Sequence, residues 1–355
     1  MNYPFDRETE LKDVGMYAPV PKPYGGVAVP VRRFNTPVTP RENFLRMTRG
    51  EMPLWLPNLN LDFNFIQPLV MPDAQARCFG GTDWFGIQWT YEPASRAAMV
   101  TPGTRRLSDI TNWKEELLPS WPDLDAIDWQ KDYEENYAPV MDPDRPTMFA
   151  IVNGYFERLA DLTSFVDTFC YLLEEPEAVD ELYTALDEFH IKLMRIARDV
   201  YHADVITFHD DMGSQKDAFM SPATFREVLL PHYQKLTKAA HDMGLFINFH
   251  SCGNVGKQIP GFVEAGFDFW EGQDNCNDKQ AIMDQFGDRL GQVSVFLVPP
   301  TVSQAEFEQA VEERITGLGK TGRYIAYYVE TDPTRNPGGA ELIYTLSRKF
   351  YCGEK

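Results

Sequence analysis

The chain has 355 residues, 53 of them acidic and 33 basic, for a formal net charge of −20. So acidic a surface excludes nucleic acid and anionic lipid as partners, because phosphate recognition needs clustered lysine and arginine. Hydrophobic residues make up 43% and aromatics 13%, which excludes disorder over most of the length. The longest apolar runs, such as Leu245–Phe249 and Val293–Val298, are far below the roughly 18–20 residues of a membrane span. The first twelve residues are acidic and carry no basic-plus-apolar signal pattern, so a cytoplasmic enzyme is expected. The five cysteines, Cys78, Cys170, Cys252, Cys276 and Cys352, are odd in number and irregularly spaced, which points to free thiols or metal ligands rather than a disulfide framework.

In chain order, residues 1–50 form an extension with few periodic segments. Its exception is Thr39–Met47, where Thr39 can cap, Pro40 takes the first helical position and Glu42 stands three residues after the cap. Met52–Pro57 is a candidate first barrel strand. Residues 71–144 are rich in tryptophan, other aromatics and proline without steady periodicity, and are expected to form an elaborated insertion over a barrel mouth, with a short helix at Leu107–Leu117. From residue 146 strands and helices alternate. Strands are predicted at Thr147–Val152, Asp204–Phe208, Leu245–Phe249, Phe267–Trp270, Gln292–Leu297 and Arg323–Val329. Helices are predicted at Asp161–Leu173, Glu177–Tyr201, Ser221–Met243, Val255–Ala265, Lys279–Phe286, Ser303–Gly317 and Gly339–Tyr351. Such repeats imply a parallel α/β sheet with right-handed crossovers. No G-x-G-x-x-G follows an early strand, so a (β/α)8 TIM-type barrel over 51–355 is favoured over an open doubly wound sheet.

Chemistry in such a barrel sits where strands end. The strand ends offer Asn153, Tyr155 and Glu157, then His209, Asp210, Asp211 and Gln215, then His250 and Cys252, then Glu271 and Gln273, and last Glu330. His250 and Cys252, two residues apart at a strand terminus, can both ligate zinc, with ordinary core packing as the alternative. Asp211 and Glu157 are candidate catalytic carboxylates, with capping as the alternative for each. Asn153, His209, Gln215 and Gln273 are candidate substrate contacts. Trp84, Trp89, Tyr155, Phe208 and Trp270 are candidate pocket walls, against a plain core role.

Several stretches together resemble the uroporphyrinogen decarboxylase superfamily. They are Thr39–Phe44, Val205–Gln215, Ser221-Pro222 with Phe225–Pro231, Gly244–Asn254, Glu264–Asp268 and Phe286–Leu290. The resemblance runs from about residue 39 to about 350 and implies a TIM-type barrel with its active site at the C-terminal strand ends. Decarboxylases of the family carry arginines just after the first strand, but Leu56–Phe63 has none, so a porphyrin polyanion fits poorly. The likeness is to the corrinoid-dependent methyltransferase branch, which implies zinc held by His250, Cys252 and a third ligand near the last strand. No cysteine stands there, and Glu330 is the expected substitute, with Cys276 or Asp211 as alternatives. A carboxylate ligand makes a harder site, which favours oxygen substrates. The implied activity is methyl transfer between a small substrate, best a methoxylated aromatic undergoing O-demethylation, and a corrinoid. That corrinoid would arrive on a partner protein, because the chain has no D-x-H-x-x-G segment; a homodimer is also allowed. The alternatives are a decarboxylase-like enzyme acting on a non-porphyrin acid and a non-catalytic binding protein that keeps the barrel.

Overall fold

Two short strands, β1 (Met16–Tyr17) and β2 (Val31–Arg32), make an antiparallel ribbon in the extension. The barrel begins with β3 (Asn64–Ile66). The insertion that follows holds an antiparallel sheet of β4 (Gly81–Thr82), β5 (Gln88–Glu92) and β6 (Ala97–Val100). Then come β7 (Thr147–Ile151), β8 (Val205–His209), β9 (Phe246–His250), β10 (Phe269–Glu271), β11 (Gly291–Leu297) and β12 (Tyr324–Val329). In this computed structural model, which describes residues 3–94 and 97–353 apart from the Tyr24 side chain, the first two residues of the acidic N-terminus lie outside the described residues. Among the described residues, no helix is long and apolar enough to cross a membrane.

The strands from β7 onward fall within two residues of their expected bounds and pair in parallel, in the order β12-β11-β10-β9-β8-β7-β3. The sheet curls towards closure because the Ala326 amide donates to the Pro57 carbonyl at 2.9 Å and Asn58 bridges Ala326. The result is a nearly closed, distorted TIM-type barrel. The expected first strand at Met52–Pro57 is reduced to this single contact. Pro53 and Pro57 have no amide hydrogen to give to a ladder.

Register divides the strand side chains into two faces, as the two-residue period of a strand requires. Phe65, Met148, Ala150, Val205, Phe269, Val293 and Ile325 point inward and pack with Phe44 and Met47 from the helix Pro40–Thr48, which closes the lower end of the barrel. Thr39 caps that helix by accepting the Glu42 amide at 3.1 Å. Thr39→Ala is expected to cost about 1 kcal/mol, measurable as a lower urea midpoint with an unchanged m-value. The alternate face, including Phe208, Phe249 and Trp270, packs against the surrounding helices.

Two expected helices are interrupted. Asp161–Leu173 is instead Tyr155–Leu162 and Phe165–Glu174. They part at Ser164, whose side chain caps the second by accepting the Asp167 amide at 3.1 Å. Ser221–Met243 contains a π-turn at Phe225–Leu229, directly ahead of the Leu230–Asp242 helix. Pro231 lacks the amide that an unbroken α-helix would use.

Candidate metal centre

Three adjacent strands end in one row: His209 pairs across to His250, and His250 to Glu271. The row shares the inward parity of Thr207, Asn248 and Phe269, so these side chains rise from the barrel floor into its mouth. The two imidazoles stack with centroids 4.4 Å apart and planes at 9°. Their orientation is set by carboxylates. Glu157 Oε2 lies 2.6 Å from His209 Nδ1, and Glu271 Oε1 lies 3.1 Å from His250 Nδ1. Asn248 donates to the other oxygen of Glu271 at 2.9 Å, fixing that carboxylate.

With Nδ1–H donated to a carboxylate, each ring turns its Nε2 lone pair towards the mouth. Asp211 Oδ1 stands there, 3.9 Å from His209 Nε2 and 3.7 Å from His250 Nε2. Cys252 Sγ is 3.3 Å from His250 Nε2. Among the described residues, His209, Asp211 and His250 form the group of ligand atoms that falls within 4.8 Å and could hold a metal ion. Two imidazoles, a carboxylate and a neighbouring thiol are all donors a borderline-soft divalent metal accepts.

The local field suits a cation. Burial opposes charge on His250, but Glu271, the hydrogen bonds to Cys252 and Glu271, and Asp211 outweigh it and hold the ring well above the ordinary histidine value. Burial likewise pushes Glu157 upward, yet His209 and then Arg77 overcome it and hold its carboxyl at about 2. The Glu271 and Asp211 carboxylates that favour charge on His250 would also favour a cation beside its Nε2.

The loops are pinned around this group. The Cys252 amide donates to Asp211 Oδ1 at 2.7 Å, joining the β8 and β9 ends. Gly253 has φ +79°, and a Cβ there would collide with the Gly213 carbonyl, so only glycine lets the two loops cross. Gln273 accepts the Gly253 amide at 3.3 Å and a bond from Gln215 at 2.5 Å, which clasps the loops after β8, β9 and β10 together.

The expected residues are sorted by strand parity. Asp210 turns away from the mouth and accepts the amides of Tyr155, Phe156 and Glu157, so it caps a helix while its neighbour Asp211 faces the site. His209, expected to touch substrate, stands in the metal-capable group. Glu330, expected as the third ligand, is not brought to the group. It shares the parity of Tyr328, which packs among the helices, and its oxygens accept the amides of Asp332 at 3.1 Å and Gly339 at 3.1 Å. Cys276 is placed one loop away, donating to Gln273 Oε1 at 3.6 Å.

Several expected pocket walls belong to the core on the helix side. Tyr155 donates to Asp187 at 2.6 Å and packs on Tyr183 and Tyr233. Phe208 and Trp270 face helices, and Trp84 packs on Trp129 and Phe189. Trp89 is also buried, but Arg77 lies 5.3 Å over its ring and reaches Glu157 at 3.2 Å and His209 Nδ1 at 3.5 Å. Asn153 is fully buried with φ +61°, and neither polar atom of its side chain has a hydrogen-bond partner. Left-handed backbone at a non-glycine residue next to a site is a place where strain is retained for function. Glu271 and Arg77 were missed as site residues. Glu271 stood at a strand end with the right parity, whereas nothing near Arg77 in the sequence marks it.

Glu271→Gln tests the orienting role directly. The amide keeps the shape but loses the charge, and zinc affinity is expected to fall about 10–100-fold, as for other outer carboxylates. Equilibrium competition with a chromophoric chelator measures it, and unchanged affinity would remove Glu271 from the site.

Comparison with known proteins agrees with this architecture. The family description "Uroporphyrinogen decarboxylase (URO-D)" matches residues 143–327, more than half of the chain. No curated protein matches. Among solved structures, a methyltransferase from Methanosarcina mazei superposes with a TM-score of 0.59 at 16% identity, covering 88% of this chain and 99% of that one. An L-ribulose 3-epimerase superposes with a TM-score of 0.34 at 12% identity, covering 63% of this chain and 88% of its own. The first of these likenesses is one of fold, and the second is too distant to carry an argument.

Proposed function

The chain belongs to the uroporphyrinogen decarboxylase family, and from that premise we propose that it is a zinc-dependent methyltransferase that takes the methyl group of a small methoxylated aromatic to a corrinoid protein. The observation that carries the reading is the pair of carboxylate-held histidines with both Nε2 atoms turned to Asp211. His209, Asp211 and His250 would hold the ion, with Cys252 beside them. Zinc bound there supplies a Lewis acid for the ether oxygen, which makes the phenoxide a better leaving group. The likeness to the Methanosarcina mazei methyltransferase, whose whole length this chain covers, is consistent with the class of reaction.

The other residues bind and orient. At the mouth, Val295 and Leu297 continue the inward face of β11 above Val293 and are 46% and 56% exposed. Tyr327 and Val329 continue β12 on the same side. This apolar wall suits an aromatic ring. Glu157, held ionised by His209 and Arg77, keeps the His209 imidazole in one tautomer. Gln215 and Gln273 lie across the loops at the entrance, where a partner-borne corrinoid would have to approach.

Arg77 favours a second reading, a decarboxylase-like enzyme for a small non-porphyrin acid, because a guanidinium beside the two histidines can receive a carboxylate. One experiment separates the two. The zinc-loaded protein is mixed with methoxybenzene derivatives and reduced cobalamin, and phenol and methylcobalamin are followed together. Equal formation of both products, abolished when a chelator strips zinc, is the expected result. Methyl transfer that survives zinc removal would sink the proposal, and release of carbon dioxide from aromatic acids without zinc would favour the second reading.

A further inference from the structure

A cavity of about 520 Å³ lies beside the end of β11, between the start of the helix Lys279–Phe286 and the length of the helix Gln304–Gly317. Phe296, Val298, Ala310 and Leu318 form its apolar part, and Lys279, Arg314, Glu306 and Glu313 also line it. None of the metal-capable residues does.

One of its charged groups lacks a hydrogen-bonded partner. Lys279 is 6% exposed, and its Nζ has no hydrogen-bond partner. The ammonium lies 3.8 Å from the Trp270 ring centre and 3.9 Å from Asp274 Oδ1. Asp274 gives its other oxygen to Arg314 Nη1 at 2.7 Å. Two cations therefore share one carboxylate. The two glutamates on the cavity wall are committed to their own helix. Glu306 accepts the Ser303 amide and hydroxyl, each at 2.8 Å, and Glu313 accepts from Gln309 at 2.8 Å. A buried cation lacking a hydrogen-bonded anion is costly, and low-dielectric walls focus its field into the open space beside it.

We infer that this cavity binds a small organic carboxylate with a compact apolar body, as a second site separate from the metal centre. The carboxylate meets Arg314, whose side chain is 23% exposed, with the charge of Lys279 behind it. The body rests against Phe296, Val298 and Leu318. A bound carboxylate would give the Arg314 guanidinium a charge-assisted partner in the cavity and place an anion in front of the unbonded Lys279 ammonium.

Isothermal titration of the full-length protein with benzoate, and separately with inorganic phosphate, tests the site. Saturable binding of one benzoate per chain is expected in the wild type and also in Cys252→Ser, which leaves this cavity untouched. Affinity is expected to drop at least about 10-fold in Arg314→Gln, which loses a charge-assisted hydrogen bond to the ligand, and to fall in Lys279→Met, which loses the charge behind it. Circular dichroism and thermal unfolding check each fold, and Arg314→Gln carries the test if Lys279→Met does not fold. The inference is overturned if benzoate does not saturate, if folded Arg314→Gln binds it as tightly as wild type, or if Cys252→Ser abolishes binding. Binding of phosphate alone would overturn the assignment of the ligand class. The methyltransferase reading stands or falls separately, on zinc and methyl transfer.

Discussion

His250→Ala is expected to leave a folded protein whose zinc affinity is lower by about two orders of magnitude, with His209→Ala similar and Glu330→Ala unchanged. The size follows from the donor count. A complete protein zinc site is worth roughly 10–16 kcal/mol, so one donor of three or four carries at least about 3 kcal/mol, or about 100-fold. The direction follows from geometry. His250 contributes an Nε2 that faces Asp211 and lies beside Cys252, whereas both Glu330 oxygens accept backbone amides on the helix side of β12. Elemental analysis after dialysis against a weak chelator, with competition titration for affinity, provides the measurement. Zinc lost from Glu330→Ala but kept in His209→Ala would restore the ligand set expected from the family pattern and refute the one drawn from the barrel. Cys252→Ala then decides whether the thiol is itself a ligand: retained affinity makes it a neighbour, and a loss matching His250→Ala makes it the fourth donor.

Arg158→Met is expected to lose about 3–5 kcal/mol of stability, the cost of removing one member of a buried ion cluster. Arg158 is wholly buried and bridges Asp83 at 2.9 Å and Asp73 more closely still, with its guanidinium 4.3 Å over the Phe85 ring. Methionine leaves two carboxylates without a counter-charge. The pH dependence follows from Asp73, whose carboxyl is pushed up to about 6, chiefly by burial and against the pull of Arg158. A folded value above the unfolded value of about 4 means that this group's contribution is complete at low pH and is lost as pH rises through 6. Without Arg158 the Asp73 carboxyl loses the pull that lowers it and moves further up. The deficit is therefore expected to be largest near pH 8 and to shrink towards pH 5, where the folded Asp73 carboxyl is largely neutral with or without Arg158. Urea unfolding at the two pH values measures it. A deficit that grows on acidification would show that the cluster is held by something other than paired charge. The cluster also matters for the site, because it ties the helix Pro72–Phe79, which carries Arg77, to the helix Tyr155–Leu162, which carries Glu157.

Local pattern carried much of this architecture. The strands β7 to β12 and the helix between Pro40 and Thr48 were legible because each rests on short-range physics: a two-residue or 3.6-residue period, or a capping side chain. The strand ends could be listed for the same reason. The interruptions at Ser164 and before Pro231 were missed because apolar periodicity runs through both, and only the local choice of hydrogen-bond partner breaks the helix.

The candidate site divides along the same line. His250 and Cys252 stood out in the sequence because two good ligands lie two residues apart at a strand end, and residue type with spacing is all that inference needs. By itself the sequence thus determined a parallel α/β barrel, where its chemistry lies, and two of the groups in it. Tertiary structure alone decided the rest. Whether a strand-end side chain enters the mouth or the helix layer depends on register across neighbouring strands, and a shift of one residue reverses it. That parity brings His209, Asp211 and Glu271 to His250, turns Asp210 into a helix cap, and sends Glu330 to the outer face. Arg77 reaches the histidines only because a buried ion cluster, built from residues 75 and 85 positions apart in the chain, holds its helix against the barrel. Contacts at that separation leave no periodic trace in a single sequence.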